Sequence, residues 1–383
     1  MRLRKSVAMM LILALVLFYY PFPVAWADGF RLEAKGSILI DAETGQVFYE
    51  QDADVKCYPA SVTKVMTLLI AIEAIHNGTA TLDEKVIASE YASGFGGSQV
   101  WLEPGEKFSL KEILLAVAVG SANDASVALA EHIGGSHTAF VELMNKKAAE
   151  LGAHNTRFTN AHGLHDPNHY TTARDMAIIT RYALRYPELL ELTKIKEYTF
   201  REQPKLVLWN TNKLLWWYPG TDGVKTGTTN EGGRSLSSTV ERDGLRLIGV
   251  VMGIDKPRGH FSESIKLYNY GFSKYGYRQF FAPGDIVAQI EVAKGKTDFI
   301  AVVPSKRVGA TIEKAKGSKH IDFAVKVPTY VTAPIVKEQK IGYIIVRANG
   351  QEISRVDLVA SENVVRGSLW RQIIKVIEDI CSF

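Results

Sequence analysis

The sequence predicts an α+β domain, then a small all-β domain, then a terminal amphipathic helix, and three observations carry that prediction. First, β-patterned runs open and close the leading part of the chain, and the runs between them have helical periodicity. An antiparallel sheet built from both ends of that segment and flanked by helices satisfies this order. Second, beyond Pro283 short β-rich pieces alternate with Gly-, Pro- and Lys-rich turns. Third, the closing stretch GSLWRQIIKVIEDICSF places Leu369, Trp370, Ile373, Ile374, Ile377, Ile380 and Cys381 on one side of a helix, with Arg371, Lys375, Glu378 and Asp379 on the other. The expected division is residues 1–27, 28–283, 284–365 and 366–383.

The first of these segments is a leader. Arg2, Arg4 and Lys5 precede an apolar run from Val7 to Tyr20 that is too short to span a bilayer comfortably. Ala25-Trp26-Ala27 then supplies a small-x-small cleavage pattern before Asp28. The mature chain is therefore expected outside the cytoplasm. Cleavage there removes three positive charges and no negative one, which takes the formal charge from +4 to +1 and leaves no nucleic-acid footprint. The roughly 356 remaining residues exceed one usual domain and can bury a large core. Cys57 and Cys381, at opposite ends of the mature chain, are no disulfide framework. Cys57, just ahead of an apolar helix, reads as a small core residue.

In order along the chain, SILIDAETGQVFYE alternates on either side of Glu43-Thr44-Gly45 and predicts a hairpin. Residues 61–76 are apolar on nearly every side, which predicts a helix buried inside the domain. Helical patterns follow over 110–120, 124–133 and 138–152, the last stopping at Gly152. Another begins near Thr172, has Asp175 in its first turn, and runs to about Tyr186 before Pro187. RSLSSTV and LRLIGVVMG, joined by Glu241-Arg242-Asp243-Gly244, predict a second hairpin.

Three short motifs carry the candidate chemistry. Ser61 and Lys64 lie three positions apart in the apolar stretch PASVTKVMT, so hydroxyl and amine share a helix face. A serine alcohol needs a neighbour to take its proton, and a lysine can do so only when neutral, the form that burial favours. The competing reading is a capping serine followed by a surface lysine. In GSANDAS, Ser121 and Asn123 fall at the junction of two predicted helices, where a loop tip could present both to a cleft, or where both could merely cap the next helix. In GVKTGTT, residues 223–229, Lys225 and Thr226 alternate in direction if the segment is a strand, and Gly227 would let a ligand backbone approach closely. The order of lysine and glycine excludes a phosphate loop.

S-x-x-K, S-x-N and K-T-G, in that order, resemble the active-site set of penicillin-recognising serine enzymes. The intervals of 60 residues from Ser61 to Ser121 and 104 from there to Lys225 are similar to those of the low-molecular-mass penicillin-binding proteins, the D-alanyl-D-alanine carboxypeptidases. GGSQVWLEPGE, NAHGLHDPNHYTTARDMA, WNTNKLL and YPGTDGVKTG resemble the same family, and the likeness covers essentially all of the mature chain. It implies a β-lactamase/transpeptidase-like catalytic domain and no cofactor or metal. It also implies Ser61 as acylated nucleophile, Lys64 as general base, Ser121 and Asn123 as proton shuttle and substrate-orienting group, and Lys225 and Thr226 as binders of the terminal carboxylate. Gly227 and Thr228 would complete the substrate-binding strand, with the N–H groups of Ser61 and Thr228 as oxyanion hole. The implied substrate is the D-Ala-D-Ala end of the peptidoglycan stem peptide, the implied inhibitors are β-lactams, and the implied place is the outer face of the bacterial cytoplasmic membrane or the cell wall. In DKPRGHF, His260 stands where some relatives have a carboxylate-binding arginine, with Arg258 two residues earlier.

Three other readings compete. A β-lactamase would need a deacylating glutamate, and no E-x-x-L-N lies between Asn123 and Lys225, while the middle motif is S-A-N. His162, His165 and His169 could be offered as a zinc set, although Gly163, Pro167 and Asn168 mark the segment as a loop. A non-catalytic penicillin-binding scaffold would keep the label and release no D-alanine. For the terminal helix, which cannot span a membrane, the alternatives are packing on the β domain and lying in the membrane interface.

Overall fold

The computed structural model describes residues 29–315 and 321–373. The chain divides into a unit of residues 1–32, described only from Gly29 to Leu32, and a unit of residues 33–383. The expected leader lies outside the described residues, and the expected terminal helix is described only from Leu369 to Ile373.

The larger unit begins with β1 (Gly36–Asp41) and β2 (Val47–Gln51), paired antiparallel around the expected turn. A 3-10 turn over Ala60–Thr63 leads into α1 (Lys64–His76), of which Lys64 to Ile72 are all buried, as the unbroken apolar pattern predicted. A small hairpin of β3 (Lys85–Ile87) and β4 (Lys107–Ser109) encloses α2 (Glu90–Ser93) and delivers α3 (Leu110–Ala118), started by a Ser109–Glu112 capping box. Then come α4 (Asn123–Gly134), α5 (His137–Glu150) and α6 (Ala173–Ala183), the last capped by Thr172, whose side chain accepts from the Asp175 N–H at 3.0 Å.

Pro187 opens a further helix, α7 (Pro187–Thr193), where the sequence pattern gave only a stop. A hairpin of β5 (Glu197–Glu202) and β6 (Lys205–Trp209) and the short α8 (Leu214–Trp217) precede β7 (Thr221–Thr229), β8 (Gly233–Arg242) and β9 (Leu245–Ile254). The main sheet has the order β2-β1-β9-β8-β7 and is antiparallel throughout, so it is indeed made from both ends of the segment. Ile38, Ile40, Ile248, Val250 and Met252 on one face bury against α1, α3, α4 and α6.

The pattern predicted no element between Gly253 and Pro283, yet α9 (Gly259–Lys274) lies there and covers the other face. Its Gly271 sits against Leu39 and Leu247, and the Tyr268 hydroxyl accepts from the Gly249 N–H at 3.0 Å. Strand β10 (Tyr275–Phe281) follows directly and pairs with β13 (Val308–Glu313). The remaining strands, β11 (Ala288–Ala293), β12 (Phe299–Pro304), β14 (Ile321–Lys326), β15 (Tyr330–Thr332), β16 (Lys340–Ala348) and β17 (Gln351–Ala360), form a sheet in the order β14-β16-β17-β12-β11-β15 over their own apolar core. This all-β region is tied to the main sheet by Thr311 donating to Asp41 Oδ2 at 2.6 Å and by the Arg307–Glu241 ion pair at 2.9 Å. Among the described residues no helix is long and apolar enough to cross a membrane.

Candidate active site

The three motifs meet at the β7 edge of the main sheet. Ser61, in the 3-10 turn, is half-buried and opens on a cavity of about 450 Å³ that Ser121, Thr226, Gly227 and Thr228 also line. Lys64, the first residue of α1, is completely buried. Its Nζ is 3.0 Å from Ser61 Oγ, 2.7 Å from Asn123 Oδ1 and 2.6 Å from the His162 carbonyl oxygen. Burial, reinforced by the nearby Lys225 charge and only partly countered by Asp124, holds the Lys64 amine well below the usual lysine range. A neutral amine has two N–H bonds and one lone pair. With the two oxygens of Asn123 and His162 taking the N–H bonds, the lone pair is left facing the serine hydroxyl.

Asn123 is the first residue of α4 rather than its cap, which is Ala122. Its backbone N–H donates to the Ser98 carbonyl at 2.6 Å and its Nδ2 to the Gly96 carbonyl at 2.8 Å, so one residue joins α4, Lys64 and the 96–98 loop. Ser121 takes a left-handed backbone with φ 59°, which turns the chain sharply between α3 and α4. The neighbouring Asp124 carried no signal in the sequence. It is buried, and its carboxylate accepts from the N–H groups of Val100 (3.0 Å) and Leu102 (3.1 Å), anchoring the loop that forms the facing wall.

Lys225 is buried beside the cavity in β7, 3.5 Å from Thr211 Oγ1, and burial alone lowers its ammonium to about 7. Thr226 Oγ1 donates to Thr211 Oγ1 at 2.7 Å. Thr211 lies in WNTNKLL, and only the tertiary structure brings it here. The expectation for Gly227 was room for a ligand backbone, but the backbone that crowds it belongs to the protein. A Cβ there would lie 2.5 Å from the Pro59 carbonyl oxygen and 3.0 Å from the Ser61 nitrogen. Gly163, with φ 87°, plays the same part opposite, since a Cβ on it would overlap the Ala60 carbonyl.

The three loop histidines do not converge on one point. His169 is locked between Thr63 Oγ1 (2.7 Å from Nε2) and the Thr159 N–H, which donates to Nδ1 at 3.0 Å. The His162 ring stacks on His137 at 5.8 Å and its Nδ1 accepts from the Leu164 N–H at 3.1 Å, while His165 sits against Tyr58. Among the described residues no group of His, Cys, Asp or Glu has the arrangement of a metal site. Burial holds His162 at about 2 and His169 at about 4, both neutral. Cys57 is buried and its thiol is pushed up to about 11, so it is no nucleophile. On the far wall, Arg258 caps α9 in a left-handed conformation and His260 is buried, its Nδ1 without a partner among the described residues.

A family model described as D-alanyl-D-alanine carboxypeptidase, the S11 peptidases, matches residues 24–256. The chain belongs to that family. It is thus a serine-type peptidase with the penicillin-binding-protein fold, and a second model, the C-terminal domain of penicillin-binding protein 5, matches residues 275–366 of this carboxypeptidase. Similar proteins include the D-alanyl-D-alanine carboxypeptidase DacF of Bacillus subtilis, 36% identical over 369 residues that cover 94% of this chain and 95% of that protein. The D-alanyl-D-alanine carboxypeptidase DacA of Escherichia coli is 33% identical over 91% of this chain and 88% of its own length. Among solved structures, a peptidoglycan synthesis regulatory factor (PBP3) from Streptococcus pneumoniae has a TM-score of 0.73 at 28% identity, covering 88% of this chain and 100% of that one. Penicillin binding protein 5 from Haemophilus influenzae has a TM-score of 0.67 at 32% identity, with coverage of 88% and 99%.

Proposed function

We propose that this carboxypeptidase removes the terminal D-alanine from peptidoglycan pentapeptide stems outside the cytoplasmic membrane, and that β-lactams acylate the same serine. The observation that carries the reading is the fully buried Lys64 amine, its Nζ 3.0 Å from Ser61 Oγ and held by burial well below the usual lysine range. Ser61 attacks the carbonyl carbon of the penultimate D-alanine while Lys64 takes its proton. The N–H groups of Ser61 and Thr228 hold the developing oxyanion, each such donor contributing roughly 3–4 kcal/mol. Ser121 passes the proton from Lys64 to the leaving nitrogen, the C–N bond breaks, and D-alanine departs. Water, activated by the same lysine, then hydrolyses the ester to regenerate Ser61. Lys225, Thr226 and Thr228 hold the substrate's terminal carboxylate, with Gly227 letting the strand lie close to the nucleophile's turn. Arg258 and Lys213 add positive charge to the same cavity.

The reading also keeps a cleaved leader of residues 1–27, a catalytic domain of 28–283, a β-rich domain of 284–365 and a membrane-associating helix of 366–383. Supporting the last, Leu369, Trp370 and Ile373 are exposed rather than packed on the β sheet. Trimming the pentapeptide removes the donor of transpeptidation, which would limit cross-linking and so influence cell shape. The test is D-alanine release from a diacetyl-Lys-D-Ala-D-Ala peptide, followed by mass spectrometry with and without penicillin. Ser61→Ala should abolish both release and covalent penicillin labelling; labelling that persists on another residue would refute the assignment.

A further inference from the structure

A cavity larger than the one that holds the motifs lies elsewhere in the molecule. It encloses about 810 Å³ at the opposite edge of the main sheet, where the catalytic and all-β regions meet, a common place for a ligand to bind. Its floor is apolar, with Ile40 of β1 and Ala177 of α6, and its mouth is basic. Most of those cations are matched. Arg174 pairs with Glu50 and Asp54 at 2.8 Å, Arg246 with Asp222 at 2.8 Å, Arg307 with Glu241 at 2.9 Å and Lys306 with Glu43 at 3.3 Å. Two are not. Arg181 donates to the carbonyl oxygens of Ala42 (3.1 Å) and Glu43 (2.7 Å), which fix the guanidinium without cancelling its charge, and pairs with no carboxylate among the described residues. Arg185 lies over the Tyr182 ring at 5.1 Å and pairs with no carboxylate among the described residues. Arg181 in the last turn of α6 and Arg185 just past its C-cap Leu184 leave two positive charges without a carboxylate partner among the described residues on one side of the cavity.

We propose that this cavity is a second site for the polymeric substrate, taking an acidic stem peptide from elsewhere on the strand being trimmed. The inference rests on the function proposed above. A stem peptide has free carboxylates for Arg181 and Arg185 and aliphatic side chains for the floor. Strand β1 is three inter-strand spacings from β7 across the sheet, about 14 Å at roughly 4.8 Å each, and the cavity is also offset along the strands, because Lys225 is in register with Ile38 while the lining runs on to Ala42 and Gly45; the Ile38–Ile40 side of β1 buries into the same core as α1, which follows Ser61. A polymer carrying repeated stems can therefore engage both sites. The second contact then acts at high effective concentration, strengthening polymer binding without a change in the chemistry.

The test compares the full-length protein with the Arg181→Gln/Arg185→Gln variant on two substrates, uncross-linked glycan strands bearing pentapeptide stems and the short diacetyl-Lys-D-Ala-D-Ala peptide. The variant should show KM raised about tenfold on the strands, with kcat unchanged and both constants unaltered on the short peptide. An equal loss on both substrates, or no loss on the strands, overturns the proposal. Arg185→Gln alone, which removes no side-chain hydrogen bond seen among the described residues, should still raise KM on strands several-fold if the double variant folds poorly; an unchanged KM there also overturns it. If the unmodified protein releases no D-alanine from either substrate, the parent reading fails, and the site is then judged by sedimentation of Ser61→Ala protein with the strands. That binding should weaken on Arg181→Gln/Arg185→Gln, and binding that does not weaken refutes the site. Equal arginine-dependent binding to polyphosphate or to anionic lipid vesicles would refute the assignment of a stem peptide.

Discussion

The sharpest test of the active-site geometry is one methyl group. In Gly227→Ala the backbone is not strained, because Gly227 has no left-handed φ, so the effect is steric. The new Cβ would lie 2.5 Å from the Pro59 carbonyl oxygen, 3.0 Å from Ala60 Cβ and 3.0 Å from the Ser61 nitrogen, whereas ordinary contact begins near 3.4 Å. None of the three atoms is the far end of a flexible side chain. Strand and turn must separate by about 0.9 Å, beyond the roughly 0.5 Å within which a catalytic constellation has to be held. A displacement near 1 Å typically lowers a rate about 10²-fold, equivalent to about 2.7 kcal/mol of barrier. Overpacking of this kind costs about 1–3 kcal/mol of stability, which a chain of this size can absorb. The assay is the second-order rate of acylation by a fluorescent penicillin, measured beside a thermal melt. Acylation within threefold of the unmodified protein, on a folded variant, would show that the spacing of β7 and the Ser61 turn does not govern the chemistry.

Other outcomes follow from the same geometry. The proposed mechanism needs Lys64 neutral and Lys225 charged, so kcat/KM should rise with pH as Lys64 loses its proton and fall again as Lys225 loses its own near 7; a profile flat from pH 5 to pH 9 would contradict both roles. Lys225→Met removes the charge that helps keep Lys64 neutral, so the rising limb of penicillin acylation should move to higher pH and the falling limb should vanish. Asp124→Ala should orphan the buried N–H groups of Val100 and Leu102 and lower stability by about 1–3 kcal/mol for each, seen as a fall in the melting temperature; an unchanged melt would mean that the 97–102 wall stands without its anchor. Deleting residues 367–383 should release the protein from membranes on fractionation, whereas continued sedimentation with them would place the attachment elsewhere.

Local pattern made part of this molecule legible. The buried helix after Ser61 was visible because its apolar residues leave no polar side. The hairpins were visible because alternation and turn residues are short-range properties, and the β-rich tail because its composition changes. Helix α9 was hidden: Phe261, Tyr268, Tyr270 and Phe272 with Gly259 and Gly271 do not look like helix formers, and tertiary packing of Tyr268 against β9 outweighs that weak propensity. Thr211 stands in the sequence only as part of WNTNKLL, and its hydrogen bond with Thr226 joins positions 15 residues apart. Asp124 and the His162 carbonyl could not be seen, the first because its partners are backbone N–H groups 22 and 24 residues away, the second because a carbonyl is common to every residue.

The order of residues alone supplies the chemical inventory: a serine one turn from a lysine inside an apolar run, a serine–asparagine pair, and a lysine–threonine–glycine strand. Folding supplies the burial that holds the lysine amine well below its usual range and the acceptors that orient it. Charge state depends on the water excluded by segments far apart in the chain. Lone-pair direction depends on two oxygens, from Asn123 and His162, that the fold delivers from 59 and 98 residues away.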